Sequence, residues 1–175
     1  MVVFYYKRVI QGKKLWTEIP ELWKDDVCQM LVDNGYTLNV DGSGTINGSI
    51  SGFTTAFTTN AETSSGADDD GVLNLKDVTL TGNGTDVLNN GKVNLTGTTS
   101  LDTISGDGTA NIGDGVTSTS VTLGQSLVQK ALNILTGGKL TATAGSVTTY
   151  DKSITNNGTV ELNGGTSSEI GRAHV

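Results

Sequence analysis

One five-residue pattern constrains this chain more than any other feature: glycine, any residue, apolar, polar or small, apolar. It occurs as Gly71-Val72-Leu73-Asn74-Leu75, Gly91-Lys92-Val93-Asn94-Leu95, Gly108-Thr109-Ala110-Asn111-Ile112, Gly138-Lys139-Leu140-Thr141-Ala142 and Gly158-Thr159-Val160-Glu161-Leu162. Successive copies start 20, 17, 30 and 20 residues apart, and Gly44-Thr45-Ile46-Asn47-Gly48 reads as a degenerate earlier copy. Alternation with period two puts apolar side chains on one face of a strand and Asn, Thr or Lys on the other. Each strand has only two or three inward residues, too few to stand alone. Short units recurring at roughly 20 residues bury a continuous core only by stacking, which is the logic of a solenoid.

The inward residues of the repeat are Val, Leu, Ile and Ala, which suits a narrow tube with rungs a strand spacing of roughly 4.8 Å apart. Asn74, Asn94 and Asn111 share one motif position and are expected to stack as an amide ladder. Asn47-Gly48, Asn83-Gly84, Asn90-Gly91, Asn157-Gly158 and Asn163-Gly164 mark corners. Val78-Thr79-Leu80 and Val121-Thr122-Leu123 are further alternating pieces. Leu127, Val128, Ala131, Leu132 and Leu135 fit a helix stripe, while Leu132, Ile134 and Thr136 fit a strand. The 30-residue gap therefore holds either a helical insertion or an unmarked rung. The expected fold is mainly β: a truncated parallel β-solenoid of about four to six rungs behind a small strand-helix α/β segment. High glycine, 24 residues, and apolar content of 35% also suit disorder, and the same turns would serve a β-sandwich. The phased alternation favours the solenoid.

Composition divides the chain into residues 1–35, 36–70, 71–169 and 170–175. The first segment holds both tryptophans, both methionines, Pro20 and Cys28, and five bases balance five acids. Residues 2–10 are β-branched and aromatic and predict a short strand. Pro20 with Trp23, Val27, Met30 and Leu31 at helical spacing predicts a helix over 20–33, stopped by Asn34-Gly35. Cys28, beside Val27, reads as a small buried hydrophobe. Residues 56–70 read as an unstructured loop, with Asp68-Asp69-Asp70 solvated. Lys7 and Arg8 interrupt the first apolar patch, so no signal peptide is expected. Ile170-Gly171-Arg172-Ala173-His174-Val175 matches the translation of a common sequencing adapter, ATCGGAAGAGCACACGTCTGA. It is set aside as an artefact, together with the only histidine. On that expectation the natural chain continues beyond 169, and the interrupted solenoid leaves Val160 and Leu162 near an exposed end, prone to aggregation.

A formal charge of −7 makes nucleic acid an unfavourable partner. No apolar run reaches the roughly 18 residues of a membrane span. A single cysteine excludes an internal disulfide or cysteine-ligated zinc site. Thr81–Asn89 approaches the calcium nonapeptide, with Asp86 at the aspartate position, but Ser105–Ile112 has Ala110 there, and such sites need stacked copies. Asp102, Asp107, Asp114 and Asp151 scatter over turns, read as solvated, and offer no paired carboxylates for glycoside chemistry. No catalytic residue, cofactor site or metal site is assigned, and the chain is read as non-catalytic.

The stretches N-N-G-K-V-N-L-T-G at 89–97, S-G-D-G-T-A-N-I-G-D-G at 105–115 and N-N-G-T-V-E-L-N-G-G at 156–165 resemble repetitive passenger regions of bacterial autotransporter-like surface adhesins. That resemblance covers 36–169 and implies a β-helix outside the cell, contacting glycans or proteins of a host or bacterial surface. Residues 4–35 resemble small proteins of phage tail gene clusters. This implies the alternative of a tail-fibre or tail-accessory protein, with virion components as partners and assembly in the cytoplasm. A β-helical polysaccharide-acting enzyme fragment is a second alternative.

Overall fold

The structure, a computed structural model, describes residues 1–15, 18–36, 39–40, 43–51, 56–59, 71–81, 84–163 and 166–169. Two helices open the chain, α1 (Val2–Ile10) and α2 (Glu21–Asp33). The first strands are β1 (Asn39–Val40), β2 (Ser43–Ser51), β3 (Phe57–Thr59), β4 (Val72–Thr81) and β5 (Val87–Asn89). Then come β6 (Lys92–Thr96), β7 (Thr98–Ser105), β8 (Thr109–Ile112), β9 (Thr119–Ile134) and β10 (Gly138–Ala142). The last are β11 (Ser146–Asn156), β12 (Thr159–Leu162) and β13 (Thr166–Glu169).

Every strand pairing among the described residues is parallel, and each joins strand segments that lie on successive turns. The result is a parallel β-solenoid of about four turns with three faces. The first face stacks the start of β4, β6, β8, the end of β9 and the end of β11. The second stacks the end of β4, the start of β7, the start of β9, β10 and β12. The third stacks β3, β5, the end of β7, the middle of β9 and the start of β11.

This register explains the irregular spacing of the sequence copies. Those led by Gly71, Gly91 and Gly108 lie on the first face, whereas Gly138 and Gly158 lead copies on the second. The 30-residue gap is one turn plus one face. The unmarked rung is Ala131-Leu132-Asn133-Ile134, paired residue for residue with Thr109–Ile112. The stretch 127–134 is strand, so the helical alternative is removed.

Why glycine leads the copies is a matter of close approach. A Cβ on Gly108 would stand 2.4 Å from the Gly91 carbonyl oxygen, and one on Gly158 would stand 2.1 Å from that of Gly138. Stacked corners bring backbones together where no side chain fits. After each corner the alternation takes over: Leu73, Leu75, Val93, Leu95, Ala110, Ile112, Leu132 and Ile134 are fully buried. Each such Val, Leu or Ile contributes roughly 1.5–3 kcal/mol relative to exposure. Coverage falls at the last turn described. Leu162 stands in register with buried Ala142 yet is 37% exposed, and Val160 is half-buried.

Residues 2–10 form a helix, not the expected strand. Val2, Tyr5, Tyr6 and Val9 pack against Ile19, Val27 and Leu31, and that i, i+3, i+4, i+7 spacing belongs to a helix face. The second helix begins and ends as expected. Pro20 stands at its N-cap, and Gly35 (φ 81°) donates to the Val32 carbonyl at 2.9 Å. Its two sides do different work. Val27 and Leu31 face α1, while Cys28 and Val32 join the solenoid core that contains Ile46 and Ile50 of β2. The helix thus covers the first turn of the tube, as a terminal repeat must be covered. The expected loop over 56–70 is corrected at its start, where Phe57–Thr59 is a strand with Phe57 fully buried. Asp68-Asp69-Asp70 and the adapter-like 170–175 lie outside the described residues.

Candidate functional site

Two outward columns give the solenoid its chemical character. On the first face Asn94 Nδ2 donates to Asn74 Oδ1 (2.8 Å), Asn111 Nδ2 to Asn94 Oδ1 (2.8 Å) and Asn133 Nδ2 to Asn111 Oδ1 (2.9 Å). Partners are 20, 17 and 22 residues apart in sequence yet one strand spacing apart in space. The expected amide ladder is present and gains Asn133, which the sequence reading missed because Lys130 stands where its leading glycine would be. On the second face Thr79, Ser100, Thr122, Thr141 and Glu161 are in register on successive turns. Their neighbours Leu80, Leu101, Val121, Leu123 and Leu140 are buried, so this hydroxyl column faces out. Lys139 and Glu161 form an ion pair across one turn at 2.9 Å, both side chains about two-fifths exposed. Exposed pairs of this kind are worth under about 1 kcal/mol.

A second amide column runs inside the tube. Thr59, Asn89, Gln129 and Thr149 are buried on the third face. Thr59 Oγ1 donates to Asn89 Oδ1 at 2.6 Å and itself accepts from the amides of Asn90 and Gly91. Asn89 Nδ2 donates to the Thr109 carbonyl and to Gln129 Oε1, 40 residues on. That reach skips a turn, and glycine permits it. Gly106 lies over Asn89, with φ 114° and a Cβ position only 2.4 Å from the Asn89 carbonyl oxygen. Gln129 Nε2 completes its bonding to the carbonyls of Gly106 and Val128. Thr149 stacks on Gln129, and its hydroxyl is buried without a hydrogen-bond partner among the described residues.

The aspartates are mostly corner fittings. Asp86, the residue weighed for calcium, is fully buried, and its Oδ2 accepts the amides of Asp102 and Thr103 in the following turn. Those donors lie between Ser100, which pairs with β4, and Ile104, which pairs with β5, so the carboxylate fills a gap in the ladder to the preceding turn. Asp77 (φ 54°) does the same for Thr98 N at 2.8 Å, beneath Gly97. Asp102 is half-buried against Gly124, whose missing side chain leaves it room, and so departs from the solvated reading. Asp114 accepts from Thr117 N, Thr117 Oγ1 and Val116 N, and these bonds hold its pKa at about 2. Asp107 is exposed, while the side chain of Asp151 and all of His174 lie outside the described residues. Cys28 is buried, and desolvation, with the Asp25 charge, pushes its thiol up to about 12. Among the described residues no three or more His, Cys, Asp or Glu side chains converge, and no helix is long and apolar enough to cross a membrane.

No family model matches the chain, nor does any curated protein or solved structure.

Proposed function

We propose that the chain is a non-catalytic, adhesive and structural β-solenoid segment of a bacterial surface protein that works by many weak contacts. The observation that carries this reading is the recurrence of like side chains at one place on successive turns. Asn74, Asn94, Asn111 and Asn133 form one such row, and Thr79, Ser100, Thr122 and Thr141 another. A ligand with its own repeat, such as a surface polysaccharide, meets equivalent donors and acceptors along the tube, and affinity comes from their number. The test compares single molecules with bead-clustered copies on immobilised bacterial and host surface glycans. Clustered copies should bind, single ones only weakly. Thr122→Lys with Thr141→Lys should reduce binding without unfolding the protein, and no sugar should be released. One tight site on the single molecule, or liberation of reducing ends, would contradict the reading.

A tail-fibre or tail-accessory role is the second reading, favoured by the helical headpiece seated on the first turn, a ready attachment knob. Long-read sequencing of the source locus separates the two. Tail and baseplate genes alongside support the fibre, whereas a translocator or anchor supports the adhesin.

A further inference from the structure

We propose that the outer face of α1, with the turn after it, docks onto an anionic lipid bilayer. The helix has two faces, and only one is used inside the protein. Val2, Tyr5, Tyr6 and Val9 pack toward α2. On the other side Met1, Val3, Phe4 and Ile10, followed by Leu15, are between 41% and 74% exposed. Cations interleave with these apolar groups: Lys7, Arg8 and Lys13 are exposed, and the Arg8 guanidinium lies 5.3 Å from the centre of the Phe4 ring.

Residues 1–17 contain Lys7, Arg8, Lys13 and Lys14 and no acid; Glu18 pairs with Lys14, the acids of α2 bring residues 1–35 to balance, and the remaining chain carries 13 acids against six bases. The outer face of α1 is thus basic and apolar, while the solenoid carries net negative charge. An anionic surface attracts this face and repels the solenoid, so the solenoid would stand away from the plane. The face is convex, and its aromatic, aliphatic and long cationic side chains are mixed. That is the chemistry of the headgroup region, where Lys and Arg stems lie along apolar groups and their charges meet phosphates. This goes beyond the adhesive reading, and neither depends on the other.

The test is co-sedimentation of the full chain with phosphatidylcholine vesicles, with and without phosphatidylglycerol. Binding should appear only with phosphatidylglycerol and fall as salt rises, because each cation near an anionic surface strengthens partitioning about fivefold. Lys7→Glu with Arg8→Glu should weaken it at least about 25-fold. Val3→Ser with Phe4→Ser should weaken it at low salt, which separates insertion from charge attraction alone. These are exposed positions, so the circular dichroism and melting of the variants should match the parent. Failure to bind anionic vesicles, equal binding to phosphatidylcholine alone, or indifference to both pairs of substitutions overturns the proposal. So does capture of this face by an acidic protein while vesicles stay unbound.

Discussion

Asn89 and Asn94 carry the same amide into two different environments, and comparing them isolates what burial does to a hydrogen bond. Asn89→Ala removes the buried donor to Gln129 Oε1, the part-buried one to the Thr109 carbonyl, and the buried acceptor for the Thr59 hydroxyl. Water cannot replace those partners, and a buried polar group left without one costs about 1–3 kcal/mol. The Thr59 oxygen keeps the amides of Asn90 and Gly91, so two groups bear most of the loss. With the space left behind, the sum is about 3–5 kcal/mol. Asn94→Ala breaks two ladder bonds that lie half-exposed on the outside, where water takes over. Its cost should be about 1 kcal/mol. For a chain of this size one kcal/mol moves the melting point by about 2–4 °C. Thermal melts followed by circular dichroism should therefore show Asn89→Ala falling by about 6–20 °C and Asn94→Ala by about 2–4 °C. The double variant Asn89→Ala/Gln129→Ala should lose less than the sum of its singles, because each single orphans the other's amide. Equal shifts at 89 and 94, or strict additivity in the cycle, would refute the reasoning.

Three further outcomes follow from the same geometry. Gly106→Ala should destabilise by more than about 3 kcal/mol, read in urea unfolding, because its Cβ would meet Asn89 O at 2.4 Å from a backbone angle that L residues avoid. Cys28 should resist a thiol reagent at neutral pH and react fully in urea. Because its folded pKa is raised from 9.0 to about 12, the unfolded thiol ionises first, and stability should fall as pH climbs from about 9 toward 12. Asp114 has its folded pKa lowered from 3.8 to about 2, so its contribution is complete above about 4 and lost on acidification through 2. Asp114→Asn should flatten that part of the acid titration of stability.

Much of the tube was legible because its rule is local. A corner glycine followed by alternation reads the same on any face, which is why the copies at Gly71, Gly91, Gly108, Gly138 and Gly158 all stood out. For the same reason their assignment to faces was hidden, and Ala131–Ile134 escaped notice with Lys130 at its corner. The first helix was misread because β-branched and aromatic residues suggest a strand, although Val2, Tyr5, Tyr6 and Val9 already carried helical spacing. The inner column could not be read at all. Thr59, Asn89, Gln129 and Thr149 meet only through stacking, and Asn89-Asn90-Gly91 looks like any turn. Asp86 stood at the aspartate position of a calcium nonapeptide, and only the position of the next turn's amides reveals it, like Asp77, as a staple.

The most direct test of the stacked tube is disulfide trapping in a Cys28→Ser background. Adjacent turns place positions 94 and 111 in register, at roughly 4.8 Å, within the Cα separation a disulfide accepts. Positions 74 and 111 are two turns apart and beyond that reach. Under mild oxidation Asn94→Cys/Asn111→Cys should close an intramolecular bond in the folded monomer, and Asn74→Cys/Asn111→Cys should not. Closure of the second pair, or failure of the first in a folded protein, would contradict the solenoid.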